Sequence, residues 1–469
     1  MGTVTAARRF AAARRDSTIA RLGTLLAYPT VSADPRRAGD MKECAFWLAR
    51  LLRRIGLSEV AVHQGRVAPV VTAAWRGRAD RPTLLVYGHY DVQPAGPASA
   101  WGTDPFRATQ VGTYLHGRGA SDDKGQLMAH LAAIEAWLRT AAELPLNLRL
   151  VLDGEEEIGS PTLVAAAARN WAPLTADAVL VSDTWMLAPD HPVLITSLRG
   201  VIRARLEVFG PKRDLHAGTF GGAVPNPAEA LARLVAGLHD NTGRVGVRGF
   251  YGQVRPITGS ERAHLSGVGP SDALMLAPAG GAPGYGEPGF SAFERTTRRP
   301  AIIVTRLSTS GGRRTVVPAW AAADLNVRLV GDQEPRLIAK ALGRHLAARM
   351  PPGVQGRLLI ADHSPSYTLD VRAPIVRAVR SACRTVFGRD PAFLPSGGSI
   401  PFVSALAATH YVDVALLGFG LRTDRTHAPN ERMYLPNLFQ GTNACIALYQ
   451  QVARELMAST SPPQHPAAA

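Results

Sequence analysis

The stretch TLLVYGHYDVQPA, residues 83–95, decides the fold. Residues 83–87 form an unbroken apolar run, which predicts a strand buried on both faces of a sheet. Similar runs occupy residues 148–152 and 178–181, and residues 124–140 carry apolar side chains at helical spacing. Strands that alternate with amphipathic helices indicate an α/β layered domain, whose chemistry is expected near the carboxyl ends of the strands.

The pattern changes in the middle of the chain. Residues 201–208 alternate apolar side chains with Arg and Glu, as a half-exposed strand does. Residues 266–290 are rich in Gly and Pro and are predicted to form a long loop. We therefore predict a smaller α+β domain over residues 197–367, inserted into a larger domain formed by residues 1–196 and 368–469.

The composition excludes several classes of protein. Of the 469 residues, 46% are apolar and 19% are charged, so a disordered, collagen-like or coiled-coil chain is excluded. Cys44, Cys383 and Cys445 lie far apart and form no CxxC pair, which argues against a disulfide framework and favours a reducing compartment. No apolar stretch approaches the length of a membrane span. These features predict a cytoplasmic protein without a membrane partner.

The net charge of +15 raises the alternative of a nucleic-acid-binding protein. The arginines are dispersed, however, and no zinc-finger, helix-turn-helix or RNA-binding pattern appears. We therefore predict no nucleic-acid partner. Strong duplex binding with a steep salt dependence would reverse this conclusion.

Segments that contain acidic residues or histidine follow the apolar runs one after another. They are GHYDVQPA at 88–95, GRGASDDKG at 117–125, DGEEEIGS at 153–160 and LVSD at 180–183. His89 and Asp91 are two residues apart, so both side chains point the same way on an extended segment. Asp91 could then accept a hydrogen bond from one imidazole nitrogen of His89 while the other nitrogen binds a metal.

Each of these segments has a simpler explanation when it is taken alone. A single histidine is more often packed or surface-exposed than a ligand, and adjacent acids before a helix often act only as caps. Three consecutive glutamates usually form a solvated face. Together, however, the segments would gather many carboxylates, and without a cation their repulsion and desolvation would cost on the order of several kcal/mol. Two divalent metal ions would remove that cost.

With DLHAGTFGG at 214–222 and THAPNERM at 426–433, these segments resemble the dinuclear-zinc metallopeptidase family of carnosinases, cytosolic nonspecific dipeptidases, carboxypeptidases and aminoacylases. The forms HYDVQP and RGASDDKG are most similar to the dipeptidase branch. The resemblance implies a phosphorylase/hydrolase-like zinc-peptidase fold, which is α/β with a mixed, largely parallel central sheet. It also implies that the inserted domain is an α+β sandwich that serves as a lid and dimerisation domain.

The resemblance also assigns site residues in the larger, catalytic domain. The implied ligands of two metal ions, with one histidine on each ion, are His89, Asp122, Glu157, Asp183 and His427. Asp122 would bridge both ions, and spacing alone could not have selected His427 among the 13 histidines. Glu156 would be the general base, and Asp91 would orient His89. The ions are expected to be Zn²⁺, with Mn²⁺ or Co²⁺ as alternatives.

Further residues are implied outside the metal ligands. His216 would come from the partner subunit of a homodimer and stabilise the oxyanion, whereas a surface histidine near a glycine turn is the simpler alternative. Arg328 would hold a substrate carboxylate, with an ordinary strand arginine as the alternative, and Gly398 and Ser399 would line the same site. Ser396 and the proline before it depart from the family, which usually has a pair of charged residues before GGSIP.

These residues predict the hydrolysis of an amide bond in dipeptides or short peptides that bear a free carboxylate. A water bridging the two metals would attack the carbonyl group, and Glu156 would take up its proton. The departure at Ser396 keeps a second hypothesis open. In that hypothesis the chain is an N-acyl-amino-acid deacylase or a specialised biosynthetic amidase with the same centre.

Overall fold

The computed structural model describes residues 2–280, 284–312 and 315–460. The chain forms two compact units. The first unit contains residues 1–196, 369–393 and 405–469, apart from those that are not described. The second unit contains residues 197–368 and 394–404.

The first part of the chain, up to the crossing into the second unit, alternates helices with strands. Its helices are α1 (Gly2–Ala13), α2 (Arg15–Leu26), α3 (Ala38–Ile55), α4 (Lys124–Ala141) and α5 (Pro161–Ala167). Its strands are β1 (Ser58–His63), β2 (Val70–Trp75), β3 (Thr83–His89), β4 (Thr109–Val111), β5 (Tyr114–His116), β6 (Asn147–Asp153), β7 (Ala178–Val181), β8 (Trp185–Met186) and β9 (Val193–Leu198).

The central sheet of the first unit has the strand order β1-β2-β6-β3-β7-β18-β9, in which β18 is Val414–Leu417. Strands β6, β3, β7 and β18 run parallel to one another, while β1, β2 and β9 are antiparallel to their neighbours. The expected α/β fold with a mixed, largely parallel sheet is therefore confirmed. Because β6, β3 and β7 are parallel, their carboxyl ends meet at one edge of the sheet.

Two helices show how local sequence fixes this unit. Helix α3 ends at Gly56, whose φ of 106° lies in the left-handed region that favours glycine. Helix α4 begins directly after Asp123 and packs against α1, α2 and β3. The buried ammonium of Lys124 donates hydrogen bonds to the carbonyl oxygens of Leu25 and Tyr28, at 3.0 and 2.8 Å. These bonds fix the turn from which α4 starts.

The second unit is an antiparallel sheet covered by helices. Its helices are α6 (Ala217–Phe220), α7 (Pro227–Ala236), α8 (Gly259–Val268), α9 (Asp272–Leu276), α10 (Ala292–Thr297) and α11 (Pro335–Ala348). Its strands are β10 (Gly200–Phe209), β11 (Leu215–His216), β12 (Ala301–Thr309), β13 (Val316–Val317), β14 (Trp320–Leu329), β15 (Gln355–Ser364) and β16 (Tyr367–Thr368).

The main sheet of this unit has the order β12-β14-β10-β15, with antiparallel pairing throughout. Helices α7 and α11 pack against it around a buried core that includes Leu206, Val327 and Leu342. Alternate residues of β10, such as Arg205, are only half-buried, as their apolar-polar alternation predicts. The unit is therefore an α+β layer structure.

The predicted long loop over residues 266–290 is wrong in part. Helix α8 continues to Val268, and α9 occupies Asp272–Leu276. The hydroxyl of Ser271 caps α9, because it accepts a hydrogen bond from the backbone N–H of Leu274. A helix this short contributes too few apolar residues to show a period, so Gly and Pro dominate the sequence signal. Residues 281–283 lie outside the described residues.

The chain completes the structure after residue 368. The remaining elements are α12 (Pro374–Phe387), β17 (Ala392–Pro395), α13 (Pro401–His410), β18, β19 (Gly420–Leu421), β20 (Arg432–Tyr434) and α14 (Leu435–Thr460). Residues 394–404 group with the second unit, whereas the sequence boundaries assigned them to the larger domain. The backbone explains the difference, because Ser396 donates from its N–H to the carbonyl of Ser197 and Arg199 donates to that of Gly398.

Candidate metal centre

The predicted metal ligands lie where strands of the first unit end. His89 is the last residue of β3, and Asp122 lies in the turn before α4. Glu157 and Asp183 lie just beyond β6 and β7, the two parallel neighbours of β3. His427 lies between β19 and β20 of the same unit. The structure therefore places all five predicted ligands in one unit.

Asp122 joins two groups of candidate ligands. Its Oδ1 lies 3.1 Å from Nε2 of His89, and its Oδ2 lies 2.9 Å from Nε2 of His427. Asp183 completes the first group at 3.8 Å from His89, and Glu157 completes the second at 3.2 Å from His427. Within each group the candidate ligand atoms all lie within 4.8 Å of one another. One carboxylate thus offers a separate oxygen to each of two neighbouring sites.

The donor atoms of the two groups fit divalent metal ions. Nε2 of each histidine points at two carboxylates, an arrangement that needs a cation or a proton between the atoms. Oε1 of Glu157 is buried and has no hydrogen-bond partner among the described residues. Imidazole nitrogens and carboxylate oxygens together form the donor set typical of catalytic zinc sites.

The electrostatics of the centre are those of a cation-binding site. Hydrogen bonds with Asp122 and Glu157 raise the pKa of His427 to about 11. Burial raises the pKa of Asp183 to about 6, and the nearby carboxylate of Asp122 adds to the effect. Burial opposes protonation of His89, yet its bonds with Asp122 and Asp183 raise its pKa well above the usual 6.5. The excess negative charge therefore attracts positive charge to this point.

Asp91 has more contacts than the sequence predicted. Its carboxylate lies 3.3 Å from Nδ1 of His89, and the same ring nitrogen lies closer, at 3.1 Å, to the backbone carbonyl of Asp91. The same carboxylate accepts hydrogen bonds from the backbone N–H groups of Glu156 and Glu157, at 3.1 and 3.0 Å, and from the hydroxyl of Ser32 at 2.6 Å. Asp91 therefore ties the histidine segment to the segment that carries the two glutamates.

Glu156 lies between Glu155 and the candidate ligand Glu157, in a short helical turn that begins with Glu156 itself. Burial raises the pKa of its carboxyl well above the usual 4.5, and the carboxylates of Asp183 and Glu157 add to the effect. A carboxyl group with a raised pKa takes up a proton more readily than an exposed carboxyl group does. The side chain is therefore suited to proton transfer at this centre.

The sequence did not predict three further residues that contact the candidate ligands or lie beside them. Gln93 donates from Nε2 to Oε2 of Glu157 at 2.8 Å. Arg118 and Glu431 form a buried ion pair of 2.7 Å beside Asp122. Gln93 lies in HYDVQP, Arg118 in RGASDDKG and Glu431 in THAPNERM, so their positions inside the motifs are the signal that could have found them.

Four of the predicted site residues lie in the second unit. They are Arg328, Gly398, Ser399 and His216. Nη1 of Arg328 donates to the hydroxyl of Ser399 at 3.0 Å, and the backbone N–H of Arg199 donates to the carbonyl of Gly398 at 2.9 Å. Burial lowers the pKa of Arg199 to about 9, and the charge of Arg328 adds to this effect. His216 is exposed at the end of β11, and its Nδ1 lies 3.2 Å from the hydroxyl of Thr219. Arg328 and Ser399 are therefore brought together.

A family comparison decides where the chain belongs. The model of peptidase family M20/M25/M40 matches residues 85–451, a span that contains all five candidate ligands. The chain belongs to this family. As a member of the M20 peptidases it is a metallohydrolase, and the resemblance to a dinuclear-zinc metallopeptidase family is confirmed at the level of the family.

Individual M20 relatives cover nearly the whole chain. The Cys-Gly metallodipeptidase dug1 of Schizosaccharomyces pombe is 29% identical over 469 residues, covering 96% of this chain and 97% of the relative. The crystal structure of human carnosine dipeptidase 1 is 25% identical with a TM-score of 0.83, covering 96% and 99% of the two chains. The M20 metallo-carboxypeptidase Sso-CP2 of Sulfolobus solfataricus is 29% identical with a TM-score of 0.82, covering 93% and 99%. The first two similarities confirm the dipeptidase branch of the family.

Among the described residues, none of the helices combines the length and the apolar character that crossing a bilayer requires.

Proposed function

We propose that this chain hydrolyses the peptide bond of dipeptides or short peptides that carry a free carboxylate, at a centre of two divalent metal ions. The position of Asp122 between His89 and His427 carries the proposal, because a shared carboxylate suits two adjacent cations. The substrate class is supported by the relatives, one described as a Cys-Gly metallodipeptidase and one as a carnosine dipeptidase.

Each of the two groups of ligands would bind one metal ion. His89, Asp122 and Asp183 would hold one ion, and Asp122, Glu157 and His427 would hold the other, with Zn²⁺ as the proposed metal and Mn²⁺ or Co²⁺ as substitutes. When bound, the ions supply Lewis acidity, which polarises the scissile carbonyl and activates water for attack.

The side chains of this chain supply the proton transfer. Glu156, with its raised pKa, would accept a proton from the attacking water and pass it to the leaving amine. Asp91 would keep Glu156 in place through the backbone N–H of that residue, at 3.1 Å. The hydrogen bond would hold the base at a fixed position beside the ligand Glu157.

The second unit would supply substrate recognition. The guanidinium of Arg328, placed by Ser399, would bind the free carboxylate of the substrate, and Gly398 would line the same site. Arg199 adds positive charge next to Arg328. Among the described residues, neither of these arginines forms an ion pair with a carboxylate, so both charges are available to an anionic group.

A homodimer would complete the site with His216 of a second copy, which would stabilise the developing oxyanion. Two observations support this part of the proposal. His216 is exposed, and β12 lies at an edge of its sheet with the apolar side chains of Ile303 and Leu307 exposed. An apolar edge strand is a template for pairing with another chain. The inserted unit would thus act as the dimerisation domain, and its role as a lid remains a proposal from the family resemblance alone.

We also propose that the protein works in the cytoplasm. The three cysteines, Cys44, Cys383 and Cys445, are free and buried, which fits a reducing compartment.

The function is tested by turnover of defined substrates with Zn²⁺, Mn²⁺ or Co²⁺. A panel of dipeptides, including Cys-Gly and β-Ala-His, is compared with N-acetyl and N-succinyl amino acids that carry the same C-terminal residue. We expect hydrolysis of dipeptides, and a loss of about 100- to 10,000-fold in kcat for Glu156→Gln with the metal content unchanged. Preference for the N-acyl substrates would favour the deacylase hypothesis, and undiminished turnover by Glu156→Gln would exclude the proposed mechanism.

A further inference from the structure

A buried ion pair beside the metal centre has no assigned role. Arg118 is 1% exposed and Glu431 is 0% exposed, and Nη1 of the first lies 2.7 Å from Oε2 of the second. Removing two charges from water is unfavourable unless their remaining hydrogen-bonding groups are satisfied. The backbone of the surrounding segments largely satisfies them here.

Glu431 holds the segment that carries Asp122. Its Oε2 accepts a hydrogen bond from the backbone N–H of Gly119 at 2.9 Å. Its Oε1 accepts from the backbone N–H of Ser121 and of Asp122 itself, at 3.1 and 3.0 Å. Three backbone donors of one tight turn thus end on a single carboxylate. The backbone position of Asp122 therefore depends on Glu431.

Arg118 extends this connection to the segments of both histidines. Its Nη2 donates to the carbonyl of Ala428, the residue after His427, at 3.2 Å. The same nitrogen lies 3.3 Å from the carbonyl of Pro94, in the segment that starts at His89. The planar guanidinium can reach both carbonyls and the carboxylate at once, which a lysine ammonium on its flexible stem cannot do with the same geometry.

We propose that Arg118 and Glu431 are positioning residues that set the relative placement of the two metal sites, by fastening Asp122 and both histidine segments to one point. The inference rests on the proposed two-metal centre and deepens it. Because Asp122 is shared, loss of Glu431 weakens both sites together. Loss of a single terminal ligand, such as His427, weakens one site first.

The test is the affinity of the metal-depleted full-length protein for Co²⁺, measured by calorimetry and by the visible absorption of the bound ion. Glu431→Gln keeps the shape of the side chain but replaces one acceptor oxygen with an NH2 group. We expect the Kd of both sites to rise by about 10- to 100-fold, as for other residues that support metal ligands. The absorption spectrum should also change, because the ligand geometry changes.

Glu135→Gln is the matched control. Glu135 is also a buried acid of the first unit, paired with Arg21 through both carboxylate oxygens. We expect this variant to lose thermal stability and to keep wild-type values of both Kd. Glu431→Asp keeps the charge but has a shorter side chain, so it should lose less Co²⁺ affinity at both sites than Glu431→Gln. It replaces Glu431→Gln in the test if that variant does not fold.

A folded Glu431→Gln or Glu431→Asp protein that binds two Co²⁺ ions with wild-type affinity and spectrum overturns the proposal, even if its melting temperature falls. Dipeptide hydrolysis by the wild type is measured on the same samples. Two bound ions without hydrolysis contradict the proposed function, and the Kd values of the variants still decide the role of Glu431. A wild type that binds fewer than two ions overturns both.

Discussion

Nε2 of His427 lies 2.9 Å from Oδ2 of Asp122, while the other oxygen of that carboxylate lies 3.1 Å from His89. In the proposed centre each oxygen would bind a different metal ion, and a side chain with a single ligand oxygen could not do this. The two residues come from distant parts of the sequence, because most of the chain lies between Asp122 and His427.

Asp122→Asn should reduce metal binding from two ions to at most one per chain, because the amide retains only one oxygen ligand. Turnover should fall by about 100-fold or more, as it does when a group that stabilises the transition state is removed. Metal content after dialysis and initial rates measure both effects. The exposed Asp177→Asn is the control, and two tightly bound ions in Asp122→Asn would speak against the shared site.

Asp91→Asn should lower kcat by about 10- to 100-fold, the range for residues that support metal ligands. The amide keeps only one acceptor oxygen, so it can replace only one of the two carboxylate oxygens that accept hydrogen bonds from the backbone N–H groups of Glu156 and Glu157. Ser32→Ala removes only the 2.6 Å bond to Asp91 and should cost less. Steady-state kinetics with metal in excess show whether Asp91→Asn loses more kcat than Ser32→Ala. A wild-type kcat for Asp91→Asn would contradict the prediction.

Arg328→Lys should raise KM for a dipeptide by about 10-fold with little change in kcat, because a lysine cannot form the paired hydrogen bonds of a guanidinium with a carboxylate. A C-terminally amidated substrate should not distinguish the variant from the wild type. Arg205→Lys, on a neighbouring strand and paired with Asp324 at 2.7 Å, is the control. Equal KM values for Arg328→Lys and the wild type would remove Arg328 from the substrate site.

The burial of His130 predicts that the stability of the protein depends on pH. This effect does not involve the metal ligands. His130 is buried between the hydroxyls of Tyr449 and Ser182, and burial lowers its pKa to about 3. Below about pH 6.5 the unfolded chain binds a proton at this residue and the folded protein does not, so stability decreases as the pH falls from about 6.5 towards 3.

His130→Gln should reduce the slope of the unfolding free energy against pH by up to about 1.4 kcal/mol per pH unit. The variant will also be less stable than the wild type at neutral pH. Urea unfolding of the wild type and the variant at several values between about pH 5 and pH 7.5 gives both slopes. Equal slopes of the unfolding free energy against pH in the wild type and the variant would contradict the prediction. They would show that His130 takes up its proton in the folded state as readily as in the unfolded state.

Much of the candidate metal centre could be predicted from the sequence because its residues follow buried strands. Apolar runs mark the strands that lead to His89, Glu157 and Asp183, and parallel strands bring such residues to one edge. His427 is different, because it lies in a loop, and only the family resemblance identified it. The side-chain amide of Asn430 helps to hold that loop, because it donates to the carbonyl of Ala100 and accepts from the backbone N–H of Gly102.

The supporting residues could not be predicted from periodicity, because their contacts are tertiary. Ser32 meets Asp91 across 59 positions of sequence, and Arg118 meets Glu431 across 313. Residues 394–404 were assigned to the larger domain for the same reason. Their backbone pairing with Ser197 and Arg199 is not visible in a hydrophobic pattern.

The central claim is that Asp122 joins two metal sites. Anomalous X-ray diffraction at the zinc absorption edge, from crystals of the Zn²⁺-loaded protein, tests it most directly. We predict two peaks about 3.5–4 Å apart, one bound by His89 and Asp183 and one by Glu157 and His427, with Asp122 bound to both. A single peak, or a second peak that does not have Asp122 among its ligands, would contradict the claim.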